Sequence, residues 1–390
     1  MERIISSESV TEGHPDKVCD YIADAILDAA LEKDENSRIA CEVCCARGLA
    51  VVLGEFDTAT DFIDVQKIAR DTIAEVGYTD PALGFDAYTC AVLNSINEQS
   101  PDIAQGVVGA IESRTGRSFD KYDRVGAGDQ GMMFGYACSE TDELMPMPIT
   151  LAHALTRRLA EARKSGELPF LRPDGKAMVS LVYDNGVPVG VNTVVVSAQH
   201  APDVKDGDLK EAITECVIKP TVPKKLLGKA DILINPTGRF VVGGPAGDTG
   251  VTGRKIIVDT YGGAIPHGGG AFSGKDASKV DRSASYYARY VCKNIVAAGF
   301  AERALLQVGY AIGKARPVSL YIDTFGTAKT DEKKILDAVN RVFDFRPAAI
   351  SDKLGLKKPI YKRTTNYGHF GKSDLPWEKL DAVESLKSVM

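Results

Sequence analysis

The segment from His267 to Asp281 holds four glycines, two lysines and two aspartates. Glycine lets a backbone adopt positive φ and come close to a ligand. Lysine brings a compact cation to phosphate, and aspartate holds hard cations such as Mg2+. Gly269, Gly274 and Lys275 reproduce the spacing of a P-loop, but the next residue is Asp276 where that motif requires Ser or Thr. The segment therefore points to a polyphosphate with its metal, while the break points away from the P-loop fold.

A chain of 390 residues is long enough for two or three domains and a large core without covalent staples. Its 44% hydrophobic and 26% charged content is that of an ordinary globular protein. A net charge of -6 gives no reason to expect nucleic acid or an anionic membrane as partner. The first residues lack the apolar run of a signal peptide, and no stretch is long and apolar enough to span a bilayer. The eight cysteines are scattered, which suits a reducing compartment, so a cytoplasmic enzyme is expected. Cys41 and Cys44 form a C-x-x-C pair, but on an alternating strand they face opposite ways and no second pair exists, which favours buried structural thiols over a zinc or redox site. With five histidines, the expected metal is a hard, oxygen-bound ion.

The hydrophobic period predicts a helix starting at Pro15, with Val18, Ile22, Ala25, Ile26 and Ala29 as its stripe. Strands over 38–46 and 49–56 turn at Gly48. A helix over 64–76 stops at Gly77, and a strand covers 88–93. Residues 99–125 are polar and long for a plain connection, as lids and linkers are. A strand at 132–138, a helix over 150–164, and two strands at 176–183 and 187–198 follow, the last two joined by the hairpin signal Asn185-Gly186. A helix over 209–218 should end before Pro220. A strand at 231–235, a helix over 280–298, strands at 305–312 and 318–324, and a helix over 331–342 complete the order. Paired strands with helices recur along the chain, an α+β design with helices on one face of each sheet.

His14 falls at the N-terminal edge of the first helix, where free amides and the dipole favour an anion. Asp16 lies in its first turn and could hold a cation; for both residues, taken alone, helix capping and ligand binding stay equally open. Asp20, Asp24 and Asp28 continue that spacing of four and read as a solvated acidic face. Gly126–Gly131 matches G-x-G-x-x-G, but a polar loop precedes it and a strand follows, the reverse of a dinucleotide fingerprint. Asp129 in that turn is either structural or a ligand. Arg239, Arg254, Lys255, Lys275, Lys279 and Arg282 sit among glycines in an acidic protein, which favours phosphate binding over solvation. Phe240 could stack on a base, although a lone aromatic is more often core, and Asp174-Gly175-Lys176 alone is turn chemistry.

Together Glu12–Lys17, Gly126–Gly131, Asn235–Phe240, Gly253-Arg254-Lys255 and Gly268–Asp281 resemble the S-adenosylmethionine synthetase family, with similarity reaching Tyr367–Gly371. The resemblance implies three similar α+β domains of mixed or antiparallel sheet in a pseudo-threefold arrangement, at 1–102, 126–242 and 243–390, with a mobile gate at 103–125. It implies ATP and L-methionine as substrates, Mg2+ and K+ as cofactors, and a homodimer or homotetramer with active sites shared between subunits. By matching position, His14 should stabilise the leaving triphosphate. Asp16 and Asp281 should bind Mg2+, and Glu42 K+. Glu55, Gln99, Asp129, Asp248 and Lys279 should place methionine. Asp174, Lys176, Arg239, Phe240, Asp248, Arg254, Lys255, Ala271 and Lys275 should bind ATP, with Lys176, Arg254 and Lys275 joining His14 in catalysis.

Two positions depart from the family's pattern. Val108-Gly109-Ala110 follows Gln105-Gly106-Val107, where the family often carries a charge, and Ala277 replaces a larger residue or proline. A phosphotransferase that yields ADP is the competing enzyme class, and a nucleotide-binding regulator the non-enzymatic one.

Overall fold

A computed structural model describes residues 2–60, 62–98, 110–116 and 120–390. The strands are β1 (Glu2–Val10), β2 (Arg38–Ala46), β3 (Leu49–Asp57), β4 (Ala91–Asn97), β5 (Gly131–Cys138), β6 (Leu171–Asp184), β7 (Val187–His200), β8 (Asp231–Ile234), β9 (Gly250–Val251), β10 (Arg303–Tyr310) and β11 (Ser319–Asp323). The longer helices are α1 (Pro15–Lys33), α2 (Val65–Val76), α3 (Met147–Lys164), α4 (Asp206–Ile213), α5 (Val280–Ala297), α6 (Glu332–Val342) and α7 (Pro347–Leu354).

They build three sheets, ordered β4-β3-β2-β9, β1-β6-β7-β8 and β11-β10-β5. The first two mix antiparallel pairs with one parallel pair, β3–β4 and β7–β8, and the third is antiparallel throughout. Helix α1 packs on β2 and β9, α3 on β1 and β6, and α5 on β5 and β10. The α+β architecture with three sheet-and-helix units is the one expected. The first and third sheets share one apolar core, and the second has its own around α3. Each sheet borrows an edge strand from elsewhere in the chain: β1 joins β6, β5 joins β10, and β9 joins β2.

Four local expectations are corrected. The strand expected at 88–93 begins at Ala91, because the Asp86 carboxylate accepts the Tyr88 and Thr89 amides and closes a turn first. The helix expected to stop before Pro220 widens into a π turn at Thr214–Ile218 and continues through Pro220 to Thr221. The wider turn accommodates a residue that has no amide to donate. Asp20 and Asp24 are not solvated but fully buried, and Asp28 is partly so. Arg282 is likewise buried rather than free for phosphate. The reason is a series of bonds along α1: Asp16 accepts the Val251 amide, Asp20 that of Gly253, Asp24 that of Gly274, and Asp28 those of Tyr361 and Lys362. The acidic face of α1 is where the glycine-rich loops are fastened.

Candidate active site

The start of α1 gathers one group of residues. His14 is the N-cap, and its Nδ1 accepts the Asp16 amide at 3.2 Å. That bond assigns the ring proton to Nε2. Burial first, then the charge of Lys255, pushes the His14 pKa down to about 3, so the ring is neutral at pH 7. Asp16 accepts Lys255 Nζ at 2.6 Å and lies 3.4 Å from Arg254. Burial alone would raise the Asp16 pKa, but the bonds from Lys255 and Val251 outweigh it and hold the carboxyl below its ordinary value. Below it, Lys17 is buried between Asp259, at 2.6 Å, and Asp20, at 3.1 Å.

Neighbouring loops complete this group. Lys176 stands on β6 with Glu8 at 3.3 Å, and its charge also lowers the His14 pKa. Asp174 is buried, and its Oδ2 accepts the Gly244 amide at 2.8 Å. This ties the loop bearing Asp248 to the strand bearing Lys176. Burial raises the Asp174 pKa to about 6. Asp248 and Arg239 are exposed, and the Phe240 backbone is held by His200 at the end of β7.

A second group is fastened two turns further along α1 through Asp24, which accepts the Gly274 amide and lies about 12 Å along the helix axis from Asp16. Lys275 Nζ donates to Asp281 Oδ2 at 2.7 Å, and Lys279 pairs with Asp276. Asp276, the residue that breaks the P-loop pattern, accepts the Ile39 amide at 2.8 Å and fastens the loop to β2. There is no room at Gly270 for a Cβ, which would collide with the Asp281 carboxylate. Ala271 lies against Gly253, where an added Cβ would sit 2.6 Å from its own. Lys275 bridges to Ala40, and Ala40 opposes Glu55 across the β2–β3 pair. Residues opposed in this way share a face, so Lys275, Glu55 and Glu42 stand on the open side of the first sheet. Glu42 accepts the Thr252 hydroxyl. Asp129 is exposed in the turn before β5, bonded to the Gln130 amide. Gln99 lies outside the described residues, as do 103–109 and 117–119 of the expected gate.

Among the described residues no group of three or more His, Cys, Asp or Glu side chains is arranged around an ion. Asp16 and Asp281 instead present single carboxylates, each beside a lysine. That donor set fits Mg2+, which is held through one or two carboxylates together with substrate phosphates. No helix of the described residues is long and apolar enough to cross a membrane.

Sequence reasoning missed Lys17, Asp20, Asp24, Thr252 and Asp259 as supports of the site. The one available signal was α1 itself, where no lysine follows Lys17 until Lys33 and Asp20, Asp24 and Asp28 stand among mostly small and apolar residues.

Comparison with known proteins agrees along the whole chain. Residues 2–101, 124–240 and 242–379 match the N-terminal, central and C-terminal domain models of S-adenosylmethionine synthetase. The S-adenosylmethionine synthase of Thermus thermophilus is 59% identical over 387 residues, covering 99% of this chain and 98% of that protein. That of Pseudothermotoga lettingae is 59% identical over 392 residues, covering 99% of each. That of Clostridium tetani is 56% identical over 393 residues, covering both completely.

Proposed function

The chain belongs to the S-adenosylmethionine synthetase family, and from that premise we propose how it makes S-adenosylmethionine from ATP and L-methionine. The methionine sulfur attacks C5′ of the ribose, the C5′–oxygen bond breaks, and the triphosphate leaves. A thioether has a free lone pair at any working pH, so no base has to activate it. The barrier lies in the charge that builds on the departing oxygen, which preorganised donors and cations stabilise. The observation that carries this reading is a neutral His14, with its proton on Nε2, at a helix N-terminus among Lys255, Arg254 and Lys176. His14 donates to the leaving oxygen, and the cations hold the phosphates.

Asp174, Arg239, Phe240 and Ala271 line the ATP site, and Lys275 adds a further phosphate contact. Glu55, Gln99, Asp129, Asp248 and Lys279 place methionine. Asp16 and Asp281 would hold Mg2+, and Glu42, with the Thr252 hydroxyl beside it, K+. Bound Mg2+ neutralises phosphate charge and fixes its geometry. With substrate and metal bound, Lys255 would turn from Asp16, and Lys275 from Asp281, to phosphate, which would free each carboxylate to hold the ion. The tripolyphosphate is hydrolysed to diphosphate and phosphate before release.

The two groups come together between two copies of the chain. The open face bearing Glu42, Glu55 and Lys275 also exposes Leu53 at 37% and Leu93 at 54%, apolar surface of the kind buried in an interface. A homodimer, or a pair of dimers, shares its sites in this way. The free thiols suit the cytoplasm.

The test is incubation of the purified protein with ATP, methionine, Mg2+ and K+. A sulfonium product with phosphate and diphosphate is expected. Production of ADP, with no sulfonium, would replace this reading with phosphotransfer.

A further inference from the structure

Asp24 is fully buried in the middle of α1. Its Oδ1 accepts the Gly274 amide at 2.9 Å and Arg282 Nη1 at 2.7 Å. Its Oδ2 accepts Arg282 Nη2 at 2.9 Å and the Thr365 hydroxyl at 2.7 Å. Gly274 immediately precedes Lys275, and Arg282 immediately follows Asp281. One carboxylate thus grips both ends of the segment that carries the Lys275–Asp281 pair. Arg282 Nη1 also donates to the Lys275 carbonyl at 3.2 Å, which closes the segment on itself. Gly274 cannot ride outward with a side chain, since its φ is +80° and a Cβ would strike the Cys41 carbonyl.

We propose that Asp24 is a positioning residue for the reaction: by clamping Gly274 and Arg282 to α1 it sets the spacing between Lys275 and Asp281. This rests on the function proposed above. Asp24 does not itself touch substrate, because each of its oxygens already accepts two donors and it lies in the core. The clamp acts through backbone and guanidinium. Loosening it should move the Lys275 ammonium and the Asp281 carboxylate without altering either group.

Arg282→Lys keeps the buried charge but loses the two-pronged bond and its reach to the Lys275 carbonyl. Asp24→Asn keeps an acceptor for the Gly274 amide and loses the charge. Three measurements are made on each variant, well below its melting temperature: kcat, calorimetric binding of a non-hydrolysable ATP analogue, and amide exchange at Gly274 and Lys275. Arg282→Lys should lower kcat about tenfold to a hundredfold, the cost of a slightly misplaced group. It should also weaken analogue binding and speed exchange at both amides. Wild-type kcat, binding and exchange in the folded variant would overturn the clamp. Should both variants fail to fold, Thr365→Val removes one bond to Oδ2 and leaves the ion pair. The same three changes in smaller measure support the clamp, and their absence overturns it. Wild-type enzyme that makes no sulfonium would sink the proposed function alone, because the exchange and binding measurements need no turnover.

Discussion

Lys255 Nζ sits 2.6 Å from Asp16 Oδ2 at the mouth of the site. The lysine neutralises a buried carboxylate while no phosphate is bound, and the carboxylate keeps the lysine in place. A lowered aspartate pKa stabilises the fold above the unfolded value and loses that contribution as pH falls through the folded one. Lys255→Met should therefore cost stability at pH 7 and cost progressively less below the ordinary aspartate value of 3.8. Urea unfolding at pH 7 and pH 3 measures this, and an equal cost at both would contradict it.

His14 gives a second pH expectation. Its folded pKa of about 3 lies below the ordinary 6.5, so the unfolded chain binds the extra proton first. Its contribution to stability is complete above pH 6.5 and is lost as pH falls from there toward 3. Between pH 7 and 8 the ring stays a neutral donor, and the kcat profile should show no limb from it. His14→Asn should slow sulfonium formation roughly a hundredfold and hydrolysis of added tripolyphosphate much less. Equal slowing of the two steps would remove His14 from the C5′–oxygen bond.

Lys275→Met separates catalysis from folding. The side chain is part exposed in a loop and makes one ion pair, so its loss should shift the melting temperature by only a few degrees. Turnover should fall on the order of a hundredfold or more. Parallel loss of melting temperature and activity would mean that Lys275 serves the fold instead.

Asp174 moves in the opposite sense to Asp16. Burial raises its folded pKa to about 6 from 3.8, so its contribution is complete below pH 3.8 and vanishes as pH rises through 6. Asp174→Asn keeps an acceptor for Gly244 and does not titrate. Its stability relative to wild type should climb by roughly 3 kcal/mol between pH 3.5 and 7. A gap in urea midpoints that stays flat over this range would refute the assignment.

Much of this molecule can be read locally. The strand at 38–46 is β2 residue for residue. Asn185 and Gly186 both take positive φ, 48° and 85°, as the hairpin signal requires. Cys41 is buried while Cys44 is only partly so, which fits their opposite faces. Strand β1 was not legible, because Ile4 is 55% exposed while Ser7 and Ser9 are buried. Its sequence carries the reverse of the usual alternation. The buried role of Asp20, Asp24 and Asp28 was invisible for a different reason. Their partners, the amides of Gly253, Gly274 and Tyr361, are distant in sequence, and spacing of four says only that the acids share a face. The separation of the site residues into two groups is also a product of tertiary structure, although the residue types were legible from glycine-rich loops carrying lysine.

The exchange of edge strands makes the three units mutually dependent. β1 is made before β6 and waits for it. β5 waits for β10, and the first sheet closes only when β9 has been made. No unit can be excised intact, since each cut strands an edge that would invite pairing with another chain. A chimera built from two relatives would have to carry each borrowed strand with the sheet it serves, not with the stretch of gene that encodes it.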